Sequence, residues 1–172
     1  MNLIFLGDSL IEYYDWQGRF PGHRAANLGV AGESVEGLMS RVMKIRESAP
    51  EADVILIMSG TNNVAMDDLE FPEFYRVILE KLNVFYPGAK IITHSLPPTM
   101  VDFISNESII KVNDALKKLA KDSGAEYLDI YARFVDTGGS TIKEYLLDDG
   151  IHLSSEGYRV WANALEKIIQ NE

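Results

Sequence analysis

The sequence contains no cysteine and few basic side chains, and each shortage excludes a kind of site. Without cysteine, disulfides and thiolate-bound metal ions are excluded, which fits a reducing compartment. The 16 lysines and arginines are outnumbered by 26 acidic residues, so the formal net charge is -10. Nucleic-acid binding needs a stripe of basic residues, and none occurs here. We therefore expect no nucleic-acid partner.

Long apolar runs are also absent. No run approaches the roughly 18 residues that a membrane-spanning helix needs, so no membrane insertion is expected. Met1 and Asn2 lead directly into the first apolar run, without the basic segment that opens a signal peptide. This favours the cytoplasm, although an exported chain whose leader had been removed would read in the same way. The length and the 47% apolar content predict one globular domain over residues 1–172.

Short apolar runs alternate along the chain with segments of helical spacing. The runs predict five strands, at residues 2–6, 25–28, 53–58, 90–96 and 126–130. Alternating strands and helices predict an α/β fold, in which a doubly wound parallel sheet lies between two layers of helices. We expect the three-layer, flavodoxin-like arrangement with strand order 2-1-3-4-5, which binds ligands at the carboxyl ends of its strands.

The helical segments carry recognisable ends. Pro72 is a good first-turn residue for one helix, and Gly124 is placed to end the next. Ser154 is predicted to cap the last helix. The buried stripe of that last helix is predicted to be Val160, Trp161, Ala164, Leu165 and Ile168.

The first strand runs directly into Gly7, Asp8 and Ser9. Ser9 therefore lies just past the carboxyl end of a strand, where a helix is expected to begin. Free backbone N–H groups and the positive end of the helix dipole suit both a nucleophile and the oxyanion that its attack creates. Serine and aspartate are also ordinary helix caps, so this stretch alone leaves both interpretations open.

Three further stretches follow strands or precede the last helix. The backbone N–H of Gly32 can approach a ligand closely because glycine has no side chain. The Asn62 amide is a neutral donor suited to a developing negative charge. Asp149 lies three residues before His152, so its carboxylate can reach one ring nitrogen and leave the other to accept a proton from a serine. Taken singly, each stretch also fits an ordinary turn or loop.

The chain has three histidines, and His152 is the best candidate base. His94 falls inside a predicted strand and is expected to pack in the core. His23 has no acidic residue at a useful spacing. An adjacent acid therefore distinguishes His152 from the other two.

Together, the four stretches resemble the SGNH/GDSL hydrolases, a family of esterases and lipases. The matching blocks are Gly7-Asp8-Ser9-Leu10, Asn27-Leu28-Gly29-Val30-Ala31-Gly32, Gly60-Thr61-Asn62-Asn63 and Asp149-Gly150-Ile151-His152. The resemblance runs from the first strand to the last helix. One departure is visible: Asn63 stands where the family usually has aspartate, so a negative charge near the site is missing.

The resemblance implies a serine esterase that hydrolyses small carboxylic esters. Ser9, His152 and Asp149 would form the catalytic triad, with an acyl-enzyme on Ser9. The oxyanion hole would consist of the N–H groups of Ser9 and Gly32 and the side chain of Asn62. Asp8 and Asn63 would support the site. The resemblance implies no metal ion and no organic cofactor.

Substrate choice is less sharply indicated. The compact chain favours short acyl or acetyl esters, with a lysophospholipase or an acyl-thioesterase as alternatives in the same family. Tyr13, Tyr14 and Trp16 follow the nucleophile and either line a pocket or pack in the core. A non-catalytic, flavodoxin-like ligand-binding domain is an alternative of another class. The bulky, acidic loop after the first strand argues against a phosphate group there. The oligomeric state is not indicated.

Overall fold

A five-stranded parallel sheet forms the centre of the protein, whose computed structural model describes residues 1–170. Its neighbouring strands lie in the order β2-β1-β3-β4-β5, and every pair is parallel. The predicted α/β fold and strand order are therefore confirmed. The strands are β1 (Asn2–Gly7), β2 (Arg24–Gly29), β3 (Val54–Met58), β4 (Lys90–His94) and β5 (Glu126–Leu128).

Two strands end two residues earlier than predicted, and one side chain explains both differences. The Ser95 hydroxyl accepts hydrogen bonds from the N–H groups of Ile130 and Tyr131, each at 2.7 Å. Beyond Leu128, the backbone is therefore bonded to a side chain instead of to the next strand. The prediction of strand residues at 95–96 and 129–130 was wrong for this reason.

Among residues 1–170, seven α-helices surround the sheet. Helices α3, α5 and α6 pack side by side in one layer, while α7 packs with the short α1 and α2 in the other. Helix α4 is a short helix directly after β3. The helices are α1 (Ser9–Glu12), α2 (Trp16–Arg19), α3 (Val35–Ser48), α4 (Thr61–Ala65), α5 (Pro72–Phe85), α6 (Asn106–Ser123) and α7 (Ser155–Gln170). Within residues 1–170, none of them is long and apolar enough to cross a membrane.

The predicted helix ends are confirmed. Pro72 lies in the first turn of α5, and Gly124 ends α6 in the left-handed conformation with φ of 74°. The Ser154 hydroxyl accepts a hydrogen bond from the Gly157 N–H at 3.2 Å, which caps α7.

The predicted buried stripe of α7 is partly wrong. Trp161, Ala164 and Leu165 are buried as expected, but Val160 and Ile168 are only half-buried. The buried face of the helix is rotated slightly from the predicted one. It includes residues at positions i, i+4, i+7 and i+11, which lie on one side of a helix. These residues are Tyr158, Ala162, Leu165 and Ile169.

Aromatic packing holds the segment after β1 against α7. The Trp16 ring stacks on Phe5 with centroids 4.2 Å apart and meets the Trp161 ring edge-on at 5.1 Å. The Tyr158 hydroxyl donates a hydrogen bond to the Leu10 carbonyl at 2.9 Å. Because α1 begins at Ser9, these contacts position the candidate nucleophile relative to the last helix.

Candidate active site

Ser9 is the first residue of α1, at the carboxyl end of β1. Asp8 caps this helix, since its Oδ1 accepts a hydrogen bond from the Leu10 N–H at 3.0 Å. The capping role that sequence left open between Ser9 and Asp8 therefore falls to Asp8. The Ser9 N–H lies at the helix start, where a backbone donor has no partner within the helix. Because Asp8 is the cap, the Ser9 hydroxyl is not needed for that role and can contact other side chains.

The Ser9 hydroxyl contacts His152, which in turn contacts Asp149. The distance from Ser9 Oγ to His152 Nε2 is 3.0 Å, and that from His152 Nδ1 to Asp149 Oδ2 is 2.7 Å. Ser9 and His152 are 143 residues apart in sequence. The fold thus brings the predicted nucleophile, base and acid into one hydrogen-bonded chain.

A tight turn before α7 holds Asp149 and His152 together. Asp149 Oδ1 accepts hydrogen bonds from the N–H groups of Ile151 and His152, both at 2.9 Å. Partial burial acts to raise the pKa of Asp149, but these N–H groups and the His152 ring lower it to about 2. Asp149 is therefore ionised at neutral pH, and its Oδ2 accepts a hydrogen bond from the Nδ1–H of His152. Nε2 is then left to accept a proton from Ser9.

Asp8 is fully buried directly beside the nucleophile. Burial raises its pKa to about 7, against the opposing effects of the Leu10 N–H and of His152. Its Oδ2 has no hydrogen-bond partner in the structure. Below about pH 7 this carboxyl group favours its neutral form, whereas Asp149 is already ionised, so Asp149 is the better anionic partner of His152.

Gly32 and Asn62 follow the strands on either side of β1. Gly7 of β1 is in register with Gly29 of β2 and Met58 of β3, so the loops that carry the two donors leave the same edge of the sheet as Ser9. The Asn62 Nδ2 donates a hydrogen bond to the Glu33 carbonyl at 3.0 Å. Asn62 lies in the short helix α4, not in the open turn that its composition also allows.

Two glycines of the matched blocks are required by the backbone. Gly32 has φ of +74° and Gly60 has φ of +130°, in the region that side chains with Cβ rarely adopt. A Cβ on Gly60 would lie 2.5 Å from the Phe71 ring, whereas one on Gly32 would meet no atom within 4 Å. Gly32 is thus an exposed position at which the backbone conformation, rather than lack of space, favours glycine.

Charged residues that sequence reasoning missed anchor the loop around Gly32. Arg41 contacts both carboxylate oxygens of Glu33 at 2.7 Å, and its Nη2 also donates to the Leu28 carbonyl at 2.8 Å. On the other side of Gly32, Glu12 accepts a hydrogen bond from the Ala31 N–H at 2.7 Å. Glu33 and Arg41 are eight residues apart, about two helical turns. This spacing is the sequence signal that could have indicated the pair.

The aromatic residues after Ser9 divide between a cleft and the core. An open cleft of about 470 Å³ adjoins His152. Its lining consists of Tyr13, Tyr14, Leu147, His152, Leu153, Ser155 and Tyr158. The Tyr13 ring centroid lies 5.3 Å from that of His152. Trp16 is instead fully buried, so for this residue the packing interpretation is correct.

The remaining histidines lie away from this chain of contacts. His94 is fully buried in β4, where burial lowers its pKa to about 3, so the prediction that it packs in the core is confirmed. His23 lies beside the amino group of Met1, which begins the chain ahead of β1. In the described part of the chain, no three metal-ligating side chains come together.

Comparison with known proteins agrees with this geometry. Residues 5–160 match the model of the GDSL-like lipase/acylhydrolase family. The chain belongs to this family. The platelet-activating factor acetylhydrolase IB subunit alpha2 of Rattus norvegicus is 28% identical over 174 residues, which cover 98% of this chain and 76% of that protein. The human protein of the same name gives the same figures.

Solved structures of other proteins have folds similar to that of this GDSL family member. A structure from Streptococcus pneumonia that is named for platelet activating factor matches with a TM-score of 0.86 and 27% identity, over 97% of this chain and 83% of that one. The acetylxylan esterase Axe2 of Geobacillus stearothermophilus matches with a TM-score of 0.80 and 19% identity, over 99% and 94% of the two chains. The second likeness concerns the fold alone.

Proposed function

We propose that this GDSL family member is a serine esterase that cleaves carboxylic esters through an acyl-enzyme on Ser9. The observation that carries the proposal is the hydrogen-bonded chain from Ser9 Oγ to His152 Nε2, at 3.0 Å, and from His152 Nδ1 to Asp149, at 2.7 Å. This is the arrangement that nucleophile activation by a general base requires.

In the first step, Ser9 Oγ bonds to the ester carbonyl carbon and its proton passes to His152 Nε2. Asp149, ionised and hydrogen-bonded to Nδ1, stabilises the imidazolium that forms. The imidazolium then gives its proton to the leaving alcohol oxygen as the ester C–O bond breaks. In the second step, a water molecule attacks the acyl carbon and loses a proton to His152. The imidazolium then gives this proton to Ser9 Oγ as the acyl C–Oγ bond breaks, which releases the acid and restores Ser9.

The carbonyl oxygen becomes negatively charged in both steps. Its proposed donors are the N–H groups of Ser9 and Gly32 and the side-chain amide of Asn62. In the structure, the Asn62 amide already donates one hydrogen bond to Glu33, and an amide NH₂ has a second hydrogen to give. Removing one such donor typically costs about 10²–10³ in rate.

We propose short acyl esters, acetyl esters among them, as the substrates. The cleft beside His152 supports this because its aromatic and leucine lining suits a small apolar group. The name of the rat relative, an acetylhydrolase, supports it as well. A lysophospholipase or an acyl-thioesterase is the alternative within the family.

Hydrolysis of p-nitrophenyl esters from acetate to long chains, by the parent and by Ser9→Ala, tests the proposal. Ser9→Ala is expected to lose about three or more orders of magnitude in kcat/KM. Ser40→Ala, at an exposed serine of α3, is the matched control and is expected to retain the parent rate. Full activity of Ser9→Ala would refute the proposed nucleophile. A kcat/KM that rises steadily with acyl-chain length would contradict the proposal of short esters and favour long-chain lipid esters as substrates.

A further inference from the structure

Asn63 is fully enclosed by three hydrogen bonds that the proposed mechanism does not use. Its side chain is buried, with 1% of its surface exposed. Oδ1 accepts a hydrogen bond from the Val35 N–H at 2.9 Å. Nδ2 donates one hydrogen to Glu36 Oε2 at 2.9 Å and the other to Asp68 Oδ2 at 2.7 Å. Every polar atom of this amide is therefore paired, and two of its three partners are carboxylates.

These bonds join the two segments that carry the proposed oxyanion donors. Val35 begins α3, three residues after Gly32, and Asn63 is the neighbour of Asn62 in α4. The Asn63 carbonyl also accepts a hydrogen bond from the Asp68 N–H at 2.9 Å. Asp67 has φ of 59°, and this left-handed residue turns the chain so that Asp68 reaches back to Asn63.

We propose that Asn63 is a positioning residue that sets the spacing of Gly32 and Asn62, and that its neutral amide is required because two carboxylates bind it. This inference rests on the proposed function, since it concerns the oxyanion hole of that reaction. Asn63 itself touches no reacting atom. It acts by fixing the start of α3 against α4.

The charges around Asn63 explain why aspartate would not serve at this position. Glu36 faces it from α3, and Asp68 faces it from the segment after α4. Nearby ionisable groups are the Glu33–Arg41 pair, Glu12, which binds the Ala31 N–H, and the buried Asp8. A carboxylate at 63 would have no hydrogen to donate and would meet two like charges at hydrogen-bond distance. Three carboxylates can share this space only by binding protons or by moving apart.

Movement here is expected to affect catalysis more than substrate binding. A displacement of about 1 Å at a reacting centre can cost around 10²-fold in rate. The cleft that we propose to bind the substrate is lined by residues of other segments. A shift of α4 against α3 therefore changes kcat and leaves KM nearly unchanged.

Asn63→Asp in the full chain is the test, with kcat and KM measured as ratios to the parent at the same pH. We expect kcat to fall by about 10- to 100-fold near pH 8, with KM changed by less than about threefold. The loss shrinks toward pH 5.5 because protons then bind to the carboxylate cluster. Asn83→Asp, at an exposed asparagine of α5, adds the same charge elsewhere and is expected to match the parent.

Removing one opposing charge should restore activity. Glu36→Gln/Asn63→Asp and Asp68→Asn/Asn63→Asp keep the net charge of the parent, and we expect kcat to recover to within about threefold. These double variants also decide the matter if Asn63→Asp alone does not fold. A parent-like kcat of Asn63→Asp at every pH would overturn the proposal. So would folded double variants that recover no activity relative to Asn63→Asp.

A readout without substrate separates this inference from the proposed function. In Asn63→Asp, the backbone amide resonances of Gly32 and Val35 are expected to follow a pH dependence that differs from that of the parent, whereas those of Asn83→Asp are expected to follow the parent. Amide resonances that coincide with those of the parent at every pH would overturn the positioning role. An inactive parent, or an active Ser9→Ala, would instead refute the proposed esterase function. The amide resonances would then still test whether Asn63 fixes the start of α3 against α4.

Discussion

At the residue scale, two aspartates near one histidine have opposite environments. Asp149 accepts hydrogen bonds from two backbone N–H groups and from the His152 ring, and these lower its pKa to about 2. Asp8 is fully buried with one oxygen unpartnered, and burial raises its pKa to about 7. Only Asp149 is suited to be the permanent negative charge beside His152. Asp8 serves as the cap of α1, a role that needs an oxygen acceptor but not a charge.

The raised pKa of Asp8 predicts that the folded protein loses stability as the pH rises. Its pKa is about 7 when folded and near 3.8 when exposed, so the folded state binds more protons between these values. Stability from this group is present below about pH 4 and is lost as the pH rises toward 7. Asp8→Asn keeps the capping oxygen and removes the titration. The unfolding free energy of Asp8→Asn minus that of the parent should therefore rise across this range.

Urea unfolding at several pH values measures this difference. The expected slope is up to about 1.4 kcal/mol per pH unit. Asp102→Asn, at an exposed aspartate, is the control for removal of a carboxylate away from the site. A difference for Asp8→Asn that does not rise with pH would contradict the raised pKa of Asp8.

At the element scale, the loop between β2 and α3 is held on both sides of Gly32. Arg41 from the second turn of α3 pairs with Glu33, and Glu12 from α1 binds the Ala31 N–H. The Val30 N–H also donates to the Gly7 carbonyl at 2.9 Å. A glycine with positive φ is costly to order because it has many alternatives when free. These contacts hold it in one conformation before a substrate arrives.

Arg41→Lys is expected to lower activity although it keeps the charge. Lysine cannot reproduce the fork that binds both Glu33 oxygens and the Leu28 carbonyl. With the loop less fixed, kcat should fall by about 10-fold or more, measured on the preferred ester. Arg46→Lys, in the last turn of the same helix, is the matched control. Equal rates for both variants would show that the Arg41 fork does not position the loop.

Sequence predicted some elements well because their local pattern is strong. The residues of β3 are all apolar and nearly fully buried, and such a run reads as a covered parallel strand. The ends of β4 and β5 were wrong because they depend on Ser95, which bonds to residues 35 and 36 positions away. A bond of that kind leaves no trace in local spacing.

For the candidate site, sequence likewise predicted the residues that lie in short local blocks but not the contacts between distant side chains. Ser9, Gly32, Asn62 and His152 were predicted as site residues because each lies in a short block that resembles the family, at a predicted strand end or before the last helix. The contacts of Asn63 and the Glu33–Arg41 pair were not found. They depend on which side chains the fold brings together across 5 to 28 residues of sequence, and many charged residues of the chain show similar spacings without meeting.

At the scale of the whole molecule, the parallel sheet collects residues from distant parts of the chain at one edge. The loops after β1, β2 and β3 supply the proposed nucleophile and oxyanion donors, and the turn before α7 supplies Asp149 and His152. Such sheets place ligands at the carboxyl ends of their strands. Glu12, Glu36 and Asp68 lie near the same edge, in a chain whose net charge is -10. We therefore expect a negative electrostatic field at the site.

This field predicts discrimination against anionic esters. An ester with a carboxylate in its acyl group should show a lower kcat/KM than a neutral ester of the same length. The gap should narrow as salt rises above about 0.1 M, where the Debye length falls to about 10 Å. Kinetics of the matched pair at low and high salt measure this. A gap that salt does not change would indicate contact with the cleft lining as its cause.

The central claim is that Ser9 becomes acylated with the help of His152. The most direct test is trapping with a p-nitrophenyl alkylphosphonate, followed by intact-mass and peptide mass spectrometry. The account predicts one adduct per chain on Ser9, with labelling of His152→Ala slowed by about 10³-fold or more. An adduct on another residue, or equal labelling of Ser9→Ala, would contradict it.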